Sequence, residues 1–163
     1  MLRGSPLLLD IACGYYIFMA LHLIKLCVGC ESIADLTSWI AETSAARRAR
    51  GVLDEQVHTT RMMPKRIAEL LDGGSLYWVI KGQIACRQAI IDLRAVTGSD
   101  GIGRCAIVLD QTVIPVEPRP CRPFQGWRYL EAASAGRDLN TIGTFDQEMP
   151  ESLRRELAQL GLL

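Results

Sequence analysis

The chain has 163 residues, 49% of them hydrophobic, with 18 basic and 18 acidic side chains and a formal net charge of zero. One domain of this size buries roughly two-thirds of its unfolded surface, so no metal or disulfide is required to hold it together. A balanced total excludes any argument for non-specific polyanion binding from net charge alone, and the 6 cysteines read as small hydrophobes of a reducing cytoplasm, not as the framework of a thin-cored secreted domain.

Charge is unevenly spread. Residues 61–128 carry 10 basic and 6 acidic groups, whereas residues 129–163 carry 3 and 6. The start of the chain is apolar, but its longest uncharged run, Ile11 to Leu21, is too short for the about 20 residues a spanning helix needs. Asp10, His22 and Lys25 interrupt the wider apolar stretch, and Leu7-Leu8-Leu9 is too brief for a signal-peptide core. Neither a membrane span nor export is expected. Met19-Ala20 opens a cleaner domain start, so residues 1–18 are expected to be an N-terminal extension and residues 19–163 a single domain.

Leu21 to Val28 reads as a buried strand that Gly29 breaks. Ser32 followed by Asp35 is a capping-box-like helix start, and Ile33, Leu36 and Ile40 recur at helical spacing behind it. Arg47, Arg48 and Arg50 before Gly51 suit the negative end of the helix dipole. Val52 to Thr60 is expected to be loop. Pro64 then suits the first turn of a second helix with Ile67, Leu70 and Leu71 on one face, stopped by Gly73-Gly74.

A sheet follows. Leu76, Trp78 and Ile80 alternate with Tyr77, Val79 and Lys81. A turn at Lys81-Gly82-Gln83 leads into a strand from Ile84 to Val96, and residues 97–103 turn into another from Arg104 to Val116, a three-stranded meander. Pro115, Pro118, Pro120 and Pro123 cannot belong to a central strand and predict an extended strap over the sheet edge. Phe124, Trp127, Tyr129 and Leu130 read as anchors, residues 131–149 as surface loop, and Pro150 as the opening of a last helix carrying Leu153, Leu157 and Leu160.

Four runs, L-H-L-I-K-L-C-V-G-C, T-T-R-M-M-P-K-R, G-G-S-L-Y-W-V-I-K-G and R-P-F-Q-G-W-R-Y-L, resemble an uncharacterised domain-of-unknown-function family (the 1489 type) typical of alphaproteobacteria. That resemblance implies no activity. A more distant one is to the PUA-like superfamily and its EVE branch. There Ser32-Ile33-Ala34-Asp35-Leu36 stands where the EVE pattern has a Ser-Ile-Asp-Asp-Leu-type helix start, and Arg61, the helix through Leu71, Gly73-Gly74 and Leu76 to Ile80 follow in similar order. The opening strand lacks the EVE Trp-Leu and acidic residue, and the Gly-Asp step is Gly-Gly. What the resemblance implies is an α+β domain with a small, mostly antiparallel sheet curled into a PUA-like barrel, flanked by about three helices.

The sharpest local motif is Cys27-Val28-Gly29-Cys30 at a strand end before a helix, where the helix field lowers a thiol pKa. A structural zinc site wants four ligands, and only His58 and Cys121 could complete this one. A thiol-redox or zinc-binding role on Cys27, Cys30 and His58 is therefore one alternative. A hydrolase or transferase using His58 is another, weakly supported because the chain has only 2 histidines and His22 reads as core.

The leading expectation is a cytoplasmic binding module for RNA or a modified nucleobase. Cations for phosphate and aromatic planes for bases are what such surfaces combine. Arg61, Lys65, Arg66, Lys81 and Arg87 supply the first, Tyr77 and Trp78 the second, and Gln88, with Arg87 and Asp92, hydrogen bonds to a base edge. Against this stands the plainer reading of a solvated basic helix face over aromatic core residues. The binding expectation requires that the positive side chains and both rings share one hollow. No cofactor is expected, zinc being the exception that the cysteine spacing leaves open.

Overall fold

The computed structural model describes residues 20–139 and residue 159. The expected N-terminal extension and, but for residue 159, the expected last helix lie outside the described residues. In chain order the elements are β1 (Leu21–Leu26), α1 (Ile33–Ala49), β2 (Gln56–Thr60), α2 (Ile67–Leu71), β3 (Ser75–Ile80), β4 (Gln83–Thr97), β5 (Gly103–Leu109), β6 (Ile114–Pro120) and β7 (Trp127–Glu131), followed by a 3-10 turn at Ala132–Ser134.

Helix α1 starts as its cap dictates. Ser32 Oγ accepts from the Asp35 backbone N–H at 3.1 Å, and the Asp35 carboxylate accepts from Glu31 N–H at 3.0 Å. Leu36 and Ile40 bury against the sheet, and Arg47 and Arg48 lie in the last turn. Helix α2 is shorter than Pro64 suggests. It begins only at Ile67, because the residues before it form a loop tied down by β7.

The fold is mostly β. Seven strands form one open mixed sheet in the order β2-β5-β4-β3-β1-β7, with β6 paired to β4 off that path. The meander of β3, β4 and β5 is antiparallel throughout, whereas β1 lies parallel to β3, with Leu23 opposite Leu76 and Leu26 opposite Val79. This overturns the PUA-like barrel. Closure would require the two end strands to pair, yet β2 pairs with β5 and β7 with β1. The expectation of about three flanking helices is corrected as well, with two α-helices among the described residues.

Two further strand boundaries differ. The expected loop before residue 60 contains β2, whose sheet-facing positions are the polar Gln56, His58 and Thr60, so the apolar alternation that marks a strand is missing. The expected strand from Arg104 to Val116 is broken at Asp110, after which β6 resumes along the same long partner, β4. β6 carries Pro115, Pro118 and Pro120 at an outer edge, where missing donors do least harm.

Every residue of β3 is buried, because both faces of the sheet are covered. On one face Leu23, Leu76, Trp78 and Ile80 pack with Leu36, Ile40 and Leu70 of the two helices. On the other, Ile24, Tyr77 and Val79 pack with Ile84, Val116 and Leu130. At the entry to β3, a Cβ on Gly74 would lie 2.2 Å from the Leu70 carbonyl oxygen and 2.6 Å from that of Leu21, so only glycine lets α2 pass this close to β1.

Candidate functional site

Two hollows adjoin on the helix-covered side of the molecule. The first, of about 410 Å3, opens where β1 ends and α1 begins, with Lys25, Cys27, Cys30, Trp39, His58 and Trp78 in its lining. The second, of about 480 Å3, lies between the loop after β2 and the turn before β7, with Arg61, Met62, Gln125 and Trp127 around it. Lys25 belongs to both.

Their walls are held by hydrogen bonds. Trp78 Nε1 donates to Gln88 Oε1 at 2.8 Å, and Gln88 Nε2 donates to the Asp110 carbonyl at 2.7 Å, which fixes the indole from behind. The His58 ring meets it at 90° with centroids 5.2 Å apart. At the second hollow Trp127 Nε1 donates to the Met62 carbonyl at 2.8 Å, and two residues further along β7 the Tyr129 hydroxyl accepts from the backbone N–H groups of Lys65 and Arg66 at 3.0 and 3.2 Å. The aromatic strand β7 thus positions the basic loop that presents Arg61.

Electrostatics divide the first hollow into a neutral interior and a charged rim. Burial, and then the Lys25 charge, push the His58 imidazole down to about 4, so it is uncharged at neutral pH. Burial, a hydrogen bond with Cys30 and the charges of Cys30 and Cys86 push the Cys27 thiol up to about 12. That keeps it protonated, the form that neither attacks nor ligates. His58 with so low a pKa has little drive to take a proton from a substrate.

The sequence-predicted residues do not gather in one place, so the single hollow expected to join the positive side chains to both rings is not formed. Arg61 faces the second hollow. Lys65 and Arg66 are exposed, but the Arg66 guanidinium is bound by Glu69 at 2.8 Å and lies 5.6 Å from the Tyr129 ring centroid. Lys81 sits 3.8 Å from the Glu31 carboxylate. Tyr77 and Trp78 are 2% and 5% exposed, and because they are consecutive in a strand they point to opposite faces of the sheet. Arg87 lies opposite Tyr77, on the face away from Trp78, and is buried, donating to the Asp138 carboxylate at 2.8 and 2.7 Å and to Ser75 Oγ at 2.8 Å. Gln88 is fully buried behind Trp78, and Asp92 is engaged by Arg94. The strand alternation alone could have separated these two sets.

Of the candidate metal ligands, Cys27, Cys30 and His58 do line the first hollow. The two cysteines are free thiols, and Cys121 packs near Phe124 in the other apolar cluster. Among the described residues no group of three or more His, Cys, Asp or Glu side chains is placed to hold a metal ion. His22 is a core residue, 1% exposed, with Nδ1 accepting from Ser75 N–H at 3.0 Å. Sequence reasoning passed over Lys25, Trp39, Gln56 and Trp127. The available signal was indirect: a tryptophan beside the Ile33, Leu36 and Ile40 stripe of α1 and polar residues at alternate positions of β2.

The fold and the hollows define a mostly β, open-sheet protein with a tryptophan-walled cleft at the end of its parallel strand pair. The chain belongs to the family described as "Protein of unknown function (DUF1489)", whose model matches residues 23–163. No curated protein and no solved structure matches it. No helix among the described residues is long and apolar enough to cross a membrane.

Proposed function

We propose that the protein is a cytoplasmic binding module for RNA or a modified nucleobase, with one base in the first hollow and its phosphate at the second. The observation that carries this reading is the sharing of Lys25 by both. A concave, largely apolar cleft with a few polar groups suits a planar ligand, and 410 Å3 lies within the usual span for small-molecule sites. Trp39, 48% exposed, offers an aromatic surface at its mouth, while Lys25 and Arg61 offer charge to a phosphate beyond it. The buried rings Tyr77 and Trp78 serve here as core and wall, so stacking falls to Trp39.

Titration with single-stranded RNA at two ionic strengths tests the reading. Affinity should fall with salt, and Lys25→Ala and Arg61→Ala should each flatten the log–log slope by about 0.7. Absence of binding by the unaltered protein at low salt rejects it.

A further inference from the structure

We propose that Gln56 and His58 read the edge of the seated base, and that the base must bring an N–H donor to the Gln56 side-chain oxygen. This rests on the binding reading above and adds to it the pair that selects the ligand. Gln56 is 3% exposed, yet its Oε1 has no hydrogen-bond partner among the described residues. The same holds for His58 Nε2. Two residues apart on β2, the two side chains share one face of the strand, and both line the first hollow.

A buried carbonyl without a donor costs about 1–3 kcal/mol, and folded proteins leave few of them. Here one amide oxygen and one imidazole nitrogen, on residues that share a strand face and line one cleft, are both left without a partner among the described residues. Away from Lys25 the lining favours a neutral group over an anion: Gln56 offers an acceptor, the imidazole is uncharged, and Asp35 lines the same hollow. A neutral heterocycle with an N–H on its edge fits, since it satisfies Gln56 Oε1 and leaves a neighbouring ring atom or exocyclic group for His58 Nε2. A phosphate is directed outward, to Lys25 and Arg61.

Calorimetric titration with the four nucleoside 5′-monophosphates, and with N3-methyluridine and N6,N6-dimethyladenosine monophosphates that lack the donor, provides the test. At least one unmodified mononucleotide should bind the wild type, and methylation of its donor should weaken it about tenfold. Gln56→Leu should lose the same factor for the unmodified ligand, bind the methylated one as the wild type does, and keep the salt slope set by Lys25 and Arg61. Gln56→Leu should also fold at least as stably, because it removes an unsatisfied acceptor. His58→Phe should weaken the same mononucleotide while retaining the salt slope. If Gln56→Leu binds mononucleotide as tightly as the wild type, or if donor methylation has no effect, the inference is overturned while RNA binding by the wild type still stands. If RNA binds but no mononucleotide does, the base is not seated in this hollow and the inference falls as well. Failure of RNA binding in the wild type overturns both.

Discussion

The Trp78 indole nitrogen donates to Gln88 Oε1 at 2.8 Å, joining two buried side chains on adjacent strands. Gln88 then reaches the Asp110 carbonyl at the point where the chain leaves β5. One amide therefore satisfies an indole that forms the wall of the first hollow and a backbone group at a strand break. Gln88→Leu would leave both without a partner. Each orphaned buried group costs about 1–3 kcal/mol, so a loss of roughly 2–6 kcal/mol is expected. Urea unfolding with an unchanged slope would measure it, and a loss below 1 kcal/mol would contradict the bridging role.

Gly74 makes a second prediction. Because the two contacts that a Cβ would meet are backbone oxygens, neither can swing aside. Gly74→Ala should cost about 3 kcal/mol, the upper end for overpacking, by forcing α2 away from β1. Gly73→Ala is the comparison. Its neighbour at 4.0 Å leaves room for the methyl, and only the positive φ of 80° is strained. It should cost about 1 kcal/mol. Thermal unfolding of the pair would separate crowding from backbone strain.

Arg87 holds the far face of the sheet to the segment after β7. Its guanidinium joins Ser75 to Asp138, whose neighbourhood is further tied by the Glu117 N–H to Arg137 carbonyl bond at 2.7 Å. Arg87→Met removes one partner of a carboxylate that is 22% exposed, so the cost should fall below the about 3–5 kcal/mol of a fully buried pair. Hydrogen exchange should accelerate first at Glu117 and its neighbours. Asp138→Asn, which keeps a hydrogen-bonding side chain, should cost less.

The basic loop should loosen when Tyr129 loses its hydroxyl. In Tyr129→Phe the backbone N–H groups of Lys65 and Arg66 lose their shared acceptor, with a stability cost of about 1 kcal/mol. Their amide exchange should rise roughly fivefold. Unchanged exchange at both positions would show that β7 does not hold the loop.

His58 predicts a pH dependence. Its folded pKa of about 4 lies below its unfolded value of about 6.5, so between those values the unfolded chain binds more protons. Stability from this group is complete above pH 6.5, declines as pH falls towards 4, and is then constant. Discounted for partial exposure, the loss is roughly 1–2 kcal/mol. Unfolding at pH 7 and pH 4.5 should show that much more loss in the wild type than in His58→Gln.

Local chemistry in the sequence already specified α1 with its Ser32–Asp35 cap, the glycine stop after Leu71, the β3–β4–β5 meander and an edge position for the proline-rich segment. Each depends on neighbours a few residues apart, through capping geometry, φ requirements or strand alternation. What only the tertiary structure decided was long-range pairing: β1 lies parallel beside β3 some fifty residues later, and β2 and β7 end the sheet without meeting, so no barrel closes. That pairing covers both faces of β3, places Tyr77 and Arg87 on one and Trp78 and Gln88 on the other, and turns residues that looked like a ligand surface into core. The hollows join the expected Arg61, His58, Cys27, Cys30 and Trp78 to Lys25, Trp39, Gln56 and Trp127, residues brought together by packing between elements far apart in the chain.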